Sequence, residues 1–264
     1  MANIPPVALG LWALSIIAQL AVLTLLLLKG HFRGLPLFTT YIILNLCQAG
    51  LLIIVYSRLI FASHDAQVLF WFSEAITLIA QAFAATEILH HVLRPYRGIW
   101  ALAWRLLAIT SSAVVLYVAA SAKEDPDWIL MIASRGFHLT FTIATVSCLL
   151  LIRFYEIPVH RVYKALLTGF CLFSCSIVIA DTLLPILRAR HNMHYAAIWN
   201  SLALAVFVVV QIVWTVALRE PLTVPRDLAV LPATYARISP EINLRLRALN
   251  EVLCKFWKLE APRS

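Results

Sequence analysis

Seven apolar segments, each long enough to cross a lipid bilayer, dominate this chain of 264 residues. They lie at residues 7–28, 36–57, 67–92, 99–121, 128–152, 165–187 and 196–218. The hydrocarbon core of a bilayer is about 30 Å thick, and a helix of about 20 apolar residues spans it. We therefore predict an all-α integral membrane protein, built as a seven-transmembrane-helix bundle.

The charge of the chain fits a membrane protein better than a nucleic-acid-binding one. Only 13% of the residues are charged, whereas a soluble domain has about 25%. The net charge of +8 comes from residues beside the predicted spans and in the tail. Nucleic-acid binding requires a folded basic surface, which the pattern does not provide. The expected partner is the lipid bilayer, and no nucleic acid is expected.

The distribution of basic residues predicts the orientation in the membrane, because Lys and Arg concentrate in cytoplasmic loops. One side of the predicted bundle carries most of them, namely Lys29, Arg33, Arg94, Arg97, Arg153, Arg161 and Lys164. We predict that this side and the C-terminus are cytoplasmic and that the N-terminus is outside, in a multi-pass protein of the cell inner (plasma) membrane. Residues 1–28 carry no charge, so a basic signal-peptide start is missing and the first span should be retained.

The sequence changes character after the last span. Residues 1–218 form the predicted transmembrane domain, residues 219–238 a linker interrupted by prolines, and residues 239–264 a basic amphipathic cytoplasmic tail helix. Ser239 and Pro240 suit the start of a helix. This tail helix has three alternatives: lying on anionic lipid head groups, docking a cytoplasmic protein, or remaining loose.

Ionisable residues within the predicted spans are the strongest candidates for function. A charge at the bilayer centre costs about 2.5–3.5 kcal/mol and usually faces the bundle interior. Glu74, Arg135 and Asp181 should lie about 9–12 Å from the outer ends of their spans, at a rise of about 1.5 Å per residue. His138 lies one turn below Arg135, and Asn200 enters from the seventh span. Three roles are open for this outer layer: a structural ion network, a ligand pocket, or a proton or ion path.

A second polar layer is predicted near the cytoplasmic side. Glu87 and His91 are four residues apart on the third span, so they share one helix face. Arg105 belongs to the fourth span, at a similar distance from the cytoplasmic end. We expect an ion pair between Glu87 and Arg105, or an Arg105 side chain that reaches towards the membrane interface.

No sequence motif supplies a catalytic centre. The chain has no Gly-x-Ser-x-Gly, no His-Glu-x-x-His and no phosphate-binding glycine loop. His191 and His194 form a pair without a clear third ligand, which favours ordinary loop residues over a metal site. We therefore expect no catalytic residue, metal or cofactor. The pattern favours a non-enzymatic sensor, receptor-like or ligand-binding module. The alternatives are a small secondary transporter and an accessory or scaffold subunit of a membrane complex.

Overall fold

A computed structural model describes residues 6–58, 64–93, 96–120, 126–154, 159–189, 193–222 and 240–257. Within these ranges the chain is helical almost throughout. The helices are α1 (Pro6–Leu28), α2 (Pro36–Arg58), α3 (His64–Leu93), α4 (Arg97–Ala120), α5 (Pro126–Phe154), α6 (Arg161–Ala189), α7 (Met193–Ala217) and α8 (Pro240–Phe256). A short 3-10 helix, His31–Arg33, joins α1 to α2. The predicted proline linker lies mostly outside the described residues.

Five of these helices are long and apolar enough to cross a membrane. The stretches are Leu9–Leu28, Pro36–Val55, Val68–Leu93, Ile132–Phe154 and Arg161–Leu183. Over the described residues, α7 contributes a shorter apolar stretch, Ser201–Ala217, and α4 carries Arg97 and Arg105 in its first half. Five such helices indicate a multi-pass membrane protein. Many large apolar side chains on these helices are exposed, and in a bilayer the lipid would cover them.

Helix α3 occupies the middle of the bundle. It contacts α2, α4, α5 and α6, while α7 packs between α1 and α6. Consecutive long helices run in opposite directions, so α1, α3, α5 and α7 end where α2, α4 and α6 begin. We call this the basic end, because it carries Lys29, Arg33, Arg97, Arg153, Arg161 and Lys164. The central position of α3 directs its carboxylates and amides towards other helices.

An aromatic cluster fixes the bundle near the basic end. Phe38 and Tyr41 of α2, Phe170 of α6 and Trp214 of α7 are all fully buried. The Trp214 ring lies 5.1 Å from that of Phe38 and 5.0 Å from that of Phe170, centroid to centroid. Aromatic pairs contribute about 0.5–1.5 kcal/mol beyond area burial. A Cβ at Gly169 would overlap the Trp214 indole, so glycine there permits the close approach of α6 to α7.

The connection between α1 and α2 also binds the end of α7. Gly30 turns the chain with a φ of 69°, which glycine adopts without steric cost. Next to it, Nε2 of His31 donates to the carbonyl of Leu218 at 3.1 Å, and Nζ of Lys29 donates to that of Arg219 at 3.2 Å. The last carbonyls of a helix lack partners within it. Lys29 and His31 supply partners for the carbonyls at the end of α7. Basic side chains are also favourable at this position, because the C-terminal end of a helix dipole is negative.

The tail helix α8 packs against α4 of its own bundle. The amide N–H of Gly98 donates to Oδ1 of Asn250 at 2.8 Å. The two backbones are so close that a Cβ on Gly98 would lie 2.6 Å from the carbonyl oxygen of Asn250 and 2.8 Å from Cβ of Leu253. Asn250 and Cys254 are buried by this contact. Because the inward face of α8 contacts α4, the predicted contact with lipid head groups or with a cytoplasmic protein would involve the outward face of α8.

Candidate functional site

Glu74 of α3 is connected to α2 through an amide. Nε2 of Gln48 donates to Oε2 of Glu74 at 2.9 Å, and the hydroxyl of Thr77 donates to Oε1 of Gln48 at 3.0 Å. An amide offers both a donor and an acceptor, so Gln48 bridges the hydroxyl and the carboxylate. The partner of Glu74 is therefore a neutral group.

Asp181 of α6 has an equally neutral partner. The hydroxyl of Ser134 on α5 lies 3.5 Å from Oδ2 of Asp181, a long hydrogen bond. Glu74 and Arg135 are within electrostatic range of Asp181. Among the described residues, however, the one ion pair within 4.0 Å joins Arg161 to Glu220. The structure thus brings the three predicted charges into one neighbourhood without the close bridge that a neutralising network requires.

Glu74 and Asp181, which we call the carboxylate pair, retain accessible surface. Both residues and Arg135 are partly exposed, whereas Ser134 is buried. Only one oxygen of each carboxylate accepts a hydrogen bond from the part of the chain that the structure describes. The other oxygens, Oε1 of Glu74 and Oδ1 of Asp181, keep their acceptor capacity.

A closed polar network lies deeper in the bundle. The hydroxyl of Ser174 on α6 accepts a hydrogen bond from Nε2 of Gln81 on α3 at 3.4 Å. Nδ1 of His138 on α5 lies 3.4 Å from the same hydroxyl oxygen. His138, Ser174 and Gln81 are all buried, at 1%, 0% and 2% exposure. The predicted site residue His138 is thus enclosed, with the edge of its ring against Phe173 at 5.7 Å between centroids.

The serines of the site were missed by sequence reasoning. A serine within a helix commonly bonds its own backbone, so the residue type alone does not predict a contact between helices. The available signal was spacing: Ser134 and His138 are four residues apart on α5, and Ser174 and Asp181 seven apart on α6. These intervals place each pair on one helix face. Asn200 belongs to α7, but its side chain lies outside the described part.

Glu87 of the predicted inner layer caps a neighbouring helix. Its two oxygens accept the backbone N–H groups of Leu37 at 3.3 Å and Phe38 at 2.9 Å, at the start of α2. The first N–H groups of a helix have no partner within it, and the positive end of the helix dipole attracts a carboxylate. Glu87 is thereby fully engaged by the backbone of α2.

The expected ion pair between Glu87 and Arg105 does not form. Cζ of Arg105 instead lies 3.6 Å from the ring centroid of Trp257, the residue that directly follows α8. Since α2 supplies the donors for Glu87, no cation is needed there. His91 donates Nδ1 to the carbonyl of Glu87 at 2.9 Å and stacks on Tyr163 at 5.3 Å between ring centroids. It contributes to packing at the basic end.

Metal-ligand residues do not cluster in the described ranges. No group of three His, Cys, Asp or Glu side chains there could enclose an ion. His191 lies outside the described residues, as does the side chain of His194. Comparisons with protein families, curated proteins and solved structures give no match. The carboxylate pair with Gln48, Ser134 and Arg135 is the candidate site that the geometry supports best.

Proposed function

We propose that the protein is a seven-helix, non-enzymatic sensor or receptor-like module of the inner membrane, which binds a small monovalent cation at the carboxylate pair. In this proposal α1–α7 all cross the bilayer. The basic end and α8 are cytoplasmic, in keeping with the distribution of Lys and Arg in membrane proteins. The N-terminus is outside, and the carboxylate pair lies in the outer half of the bundle.

The carboxylate pair carries the proposal because its charge is incompletely compensated. Two carboxylates within electrostatic range repel one another, and low-dielectric surroundings strengthen that repulsion. Their direct partners, Gln48 and Ser134, are neutral. When both carboxylates are ionised, Arg135 offsets one negative charge and leaves one. A monovalent cation, either an alkali metal ion or a small ammonium compound, has the charge that restores neutrality.

The continuity of the helices favours a sensor over the alternative of a secondary transporter. Transporter sites are commonly built from interrupted helices that expose backbone groups near the membrane midplane. Here α3, α5 and α6 remain helical past Glu74, Ser134 and Asp181. Beneath the pair, the network of His138, Ser174 and Gln81 is fully buried. These features support binding without passage through the bundle.

A thermal-shift screen of the full-length protein in detergent tests this proposal. Sodium, potassium, lithium and small ammonium salts would be tested at several pH values. The wild type would be compared with Asp181→Asn and with the control Glu220→Gln, which removes an exposed carboxylate at the basic end. We expect one cation to raise the melting temperature of the wild type and the control but not of Asp181→Asn. Because protons compete for the carboxylates, this increase should shrink as the pH falls.

Equal shifts in all three proteins, or no shift with any cation, would contradict a cation site at the carboxylate pair. Uptake of the same cation into proteoliposomes then separates sensing from transport. A sensor should show saturable binding with uptake no faster than in protein-free vesicles. Uptake that Asp181→Asn abolishes would establish the transporter instead.

A further inference from the structure

An apolar strip lies on the outward face of α8, although the helix belongs to the proposed cytoplasmic tail. Leu249, Val252 and Phe256 are 40%, 62% and 72% exposed. Their spacing of three and four residues places them on one side of the helix. The opposite side, with Asn250 and Cys254, is buried against α4. A helix with one apolar face turned outward suits the boundary between lipid head groups and acyl chains.

Arg105 lies at the junction of α4 and α8, and no carboxylate among the described residues forms an ion pair with it. Its guanidinium stacks on Trp257, with Cζ 3.6 Å from the ring centroid. Nη1 is buried and has no acceptor, and within the described ranges no group accepts a hydrogen bond from the other guanidinium nitrogens. The side chain as a whole is partly exposed. A stacked guanidinium presents N–H groups at its edge, and the edge formed by Nε and Nη2 can match two oxygens of a phosphate.

Tryptophans around Arg105 mark the level of the membrane interface. Trp104 is 50% exposed and stacks with Trp100 at 6.4 Å between ring centroids. Tryptophan concentrates at the head-group level of membranes. Arg105 comes eight residues after Arg97, about 12 Å along α4 at about 1.5 Å per residue. The long arginine side chain can therefore reach the phosphate level from within α4.

We infer that Arg105, stacked on Trp257, binds the phosphate of an anionic phospholipid in the cytoplasmic leaflet. Leu249, Val252 and Phe256 then lie beside its acyl chains. Lipid is the occupant that fits, because three features meet at one junction: a cation that no described carboxylate pairs with, interfacial tryptophan and an apolar strip of α8. The exposed apolar side chain of Ile109, one turn further along α4, continues the same surface into the bilayer. This inference rests on the proposed membrane placement but not on a ligand at the carboxylate pair.

Native mass spectrometry of the full-length protein in a neutral detergent tests the phosphate site. Phosphatidylglycerol or phosphatidylcholine would be added to the wild type, to Arg105→Gln and to the control Lys255→Gln, which removes an exposed charge of α8. We expect the wild type to retain one phosphatidylglycerol in preference to phosphatidylcholine. Arg105→Gln should retain it about tenfold more weakly, since charge-assisted hydrogen bonds are lost. Lys255→Gln should weaken retention by less than about fivefold, the effect of one basic residue near an anionic surface.

Equal retention of phosphatidylglycerol by Arg105→Gln and the wild type would overturn the site, as would equal retention of the two lipids by the wild type. Displacement of the lipid by excess inorganic phosphate would show a soluble-anion site instead. Should Arg105→Gln fail to fold, Arg105→Lys keeps the charge without the planar edge, and its retention should fall below that of Lys255→Gln. The cation response of the carboxylate pair, measured separately, should persist in Arg105→Lys, so failure of one proposal is distinguishable from failure of the other.

Discussion

Charged side chains have different kinds of partner at the basic end and in the half of the bundle that holds the carboxylate pair. At the basic end, Glu87 accepts two backbone N–H groups of α2, and His31 and Lys29 donate to the carbonyls that follow α7. Among the described residues, the carboxylates of Glu74 and Asp181 accept hydrogen bonds from one amide and one hydroxyl, respectively.

The difference follows from where each residue meets its neighbours. Helix ends offer backbone groups that lack partners within the helix, whereas the middle of a helix offers none. Charges at the basic end are therefore used to join helices. Charges along the middle depend on side chains for their partners, and the proposed ligand site lies there.

The largest expected effect is the loss of the cap on α2. Glu87→Ala leaves the N–H groups of Leu37 and Phe38 without their acceptor. The loss should cost about 1–3 kcal/mol for the buried N–H group of Phe38 and less for the part-buried one of Leu37. We expect a marked fall in melting temperature and in purified yield. Glu220→Ala, which breaks an exposed ion pair, should change the free energy of unfolding by about 1 kcal/mol or less. Similar melting temperatures for the two variants would remove the distinction between structural and available charges.

A smaller effect is expected where α8 meets α4. Gly98→Ala places a Cβ against the backbone of Asn250, and such overpacking typically costs about 1–3 kcal/mol. The helix should move away and expose Cys254, which is 3% exposed in the structure. The measurement is the rate of thiol labelling in a background with Cys254 as the sole cysteine. The matched control is Gly50→Ala, since a Cβ at Gly50 meets nothing within 4 Å. Equal labelling of both variants would contradict the docking.

Arg135→Gln should have a smaller effect again. Arg135 makes no ion pair within 4.0 Å among the described residues, so we expect a loss of about 1 kcal/mol or less. An arginine that bridges Glu74 and Asp181 would instead cost about 3–5 kcal/mol when removed. Thermal unfolding in detergent separates the two cases. A large loss would show that the carboxylate pair is neutralised within the protein and would weaken the case for a ligand.

The smallest effect concerns the exposed ion pair at the basic end. Nη1 of Arg161 lies 3.1 Å from Oε1 of Glu220, and the two side chains are 81% and 41% exposed. Exposed pairs contribute little because water and salt screen them. Arg161→Gln should change the free energy of unfolding by about 0.5 kcal/mol or less, and the change should shrink further as salt is added. A loss above about 2 kcal/mol would mean that this contact joins α6 to the end of α7 more firmly than its exposure allows.

The positions of the helices were predictable from the lengths of the apolar segments. Residues 36–57 were expected to form a helix, and α2 runs over Pro36–Arg58; residues 196–218 correspond to α7, Met193–Ala217. Membrane helices need long apolar runs, and this requirement is written along the sequence. Counting residues along those runs also predicted that Glu74, Arg135 and Asp181 share one level, and Glu74 and Arg135 are within electrostatic range of Asp181.

The partners of the charges were not predictable in the same way. Contact between Glu87 and α2 depends on how α3 is rotated and shifted along its neighbour. The contact of Arg105 with Trp257 depends on α8 folding back onto α4, across 152 residues of sequence between Gly98 and Asn250. Periodicity gives a face of a helix but not the helix that it meets. For that reason the expected pair of Glu87 with Arg105 differs from the contacts that the structure contains.

Labelling of the carboxylates with a hydrophobic carbodiimide, read by mass spectrometry of peptides, tests the central distinction most directly. Glu74 and Asp181 are partly exposed, whereas Glu87 is 9% exposed and engaged by two N–H groups. We predict that Glu74 and Asp181 react, that the stabilising cation protects both, and that Glu87 stays unmodified in the folded protein. Reaction of Glu87 at the rate of the carboxylate pair, or an unreactive pair, would contradict the account.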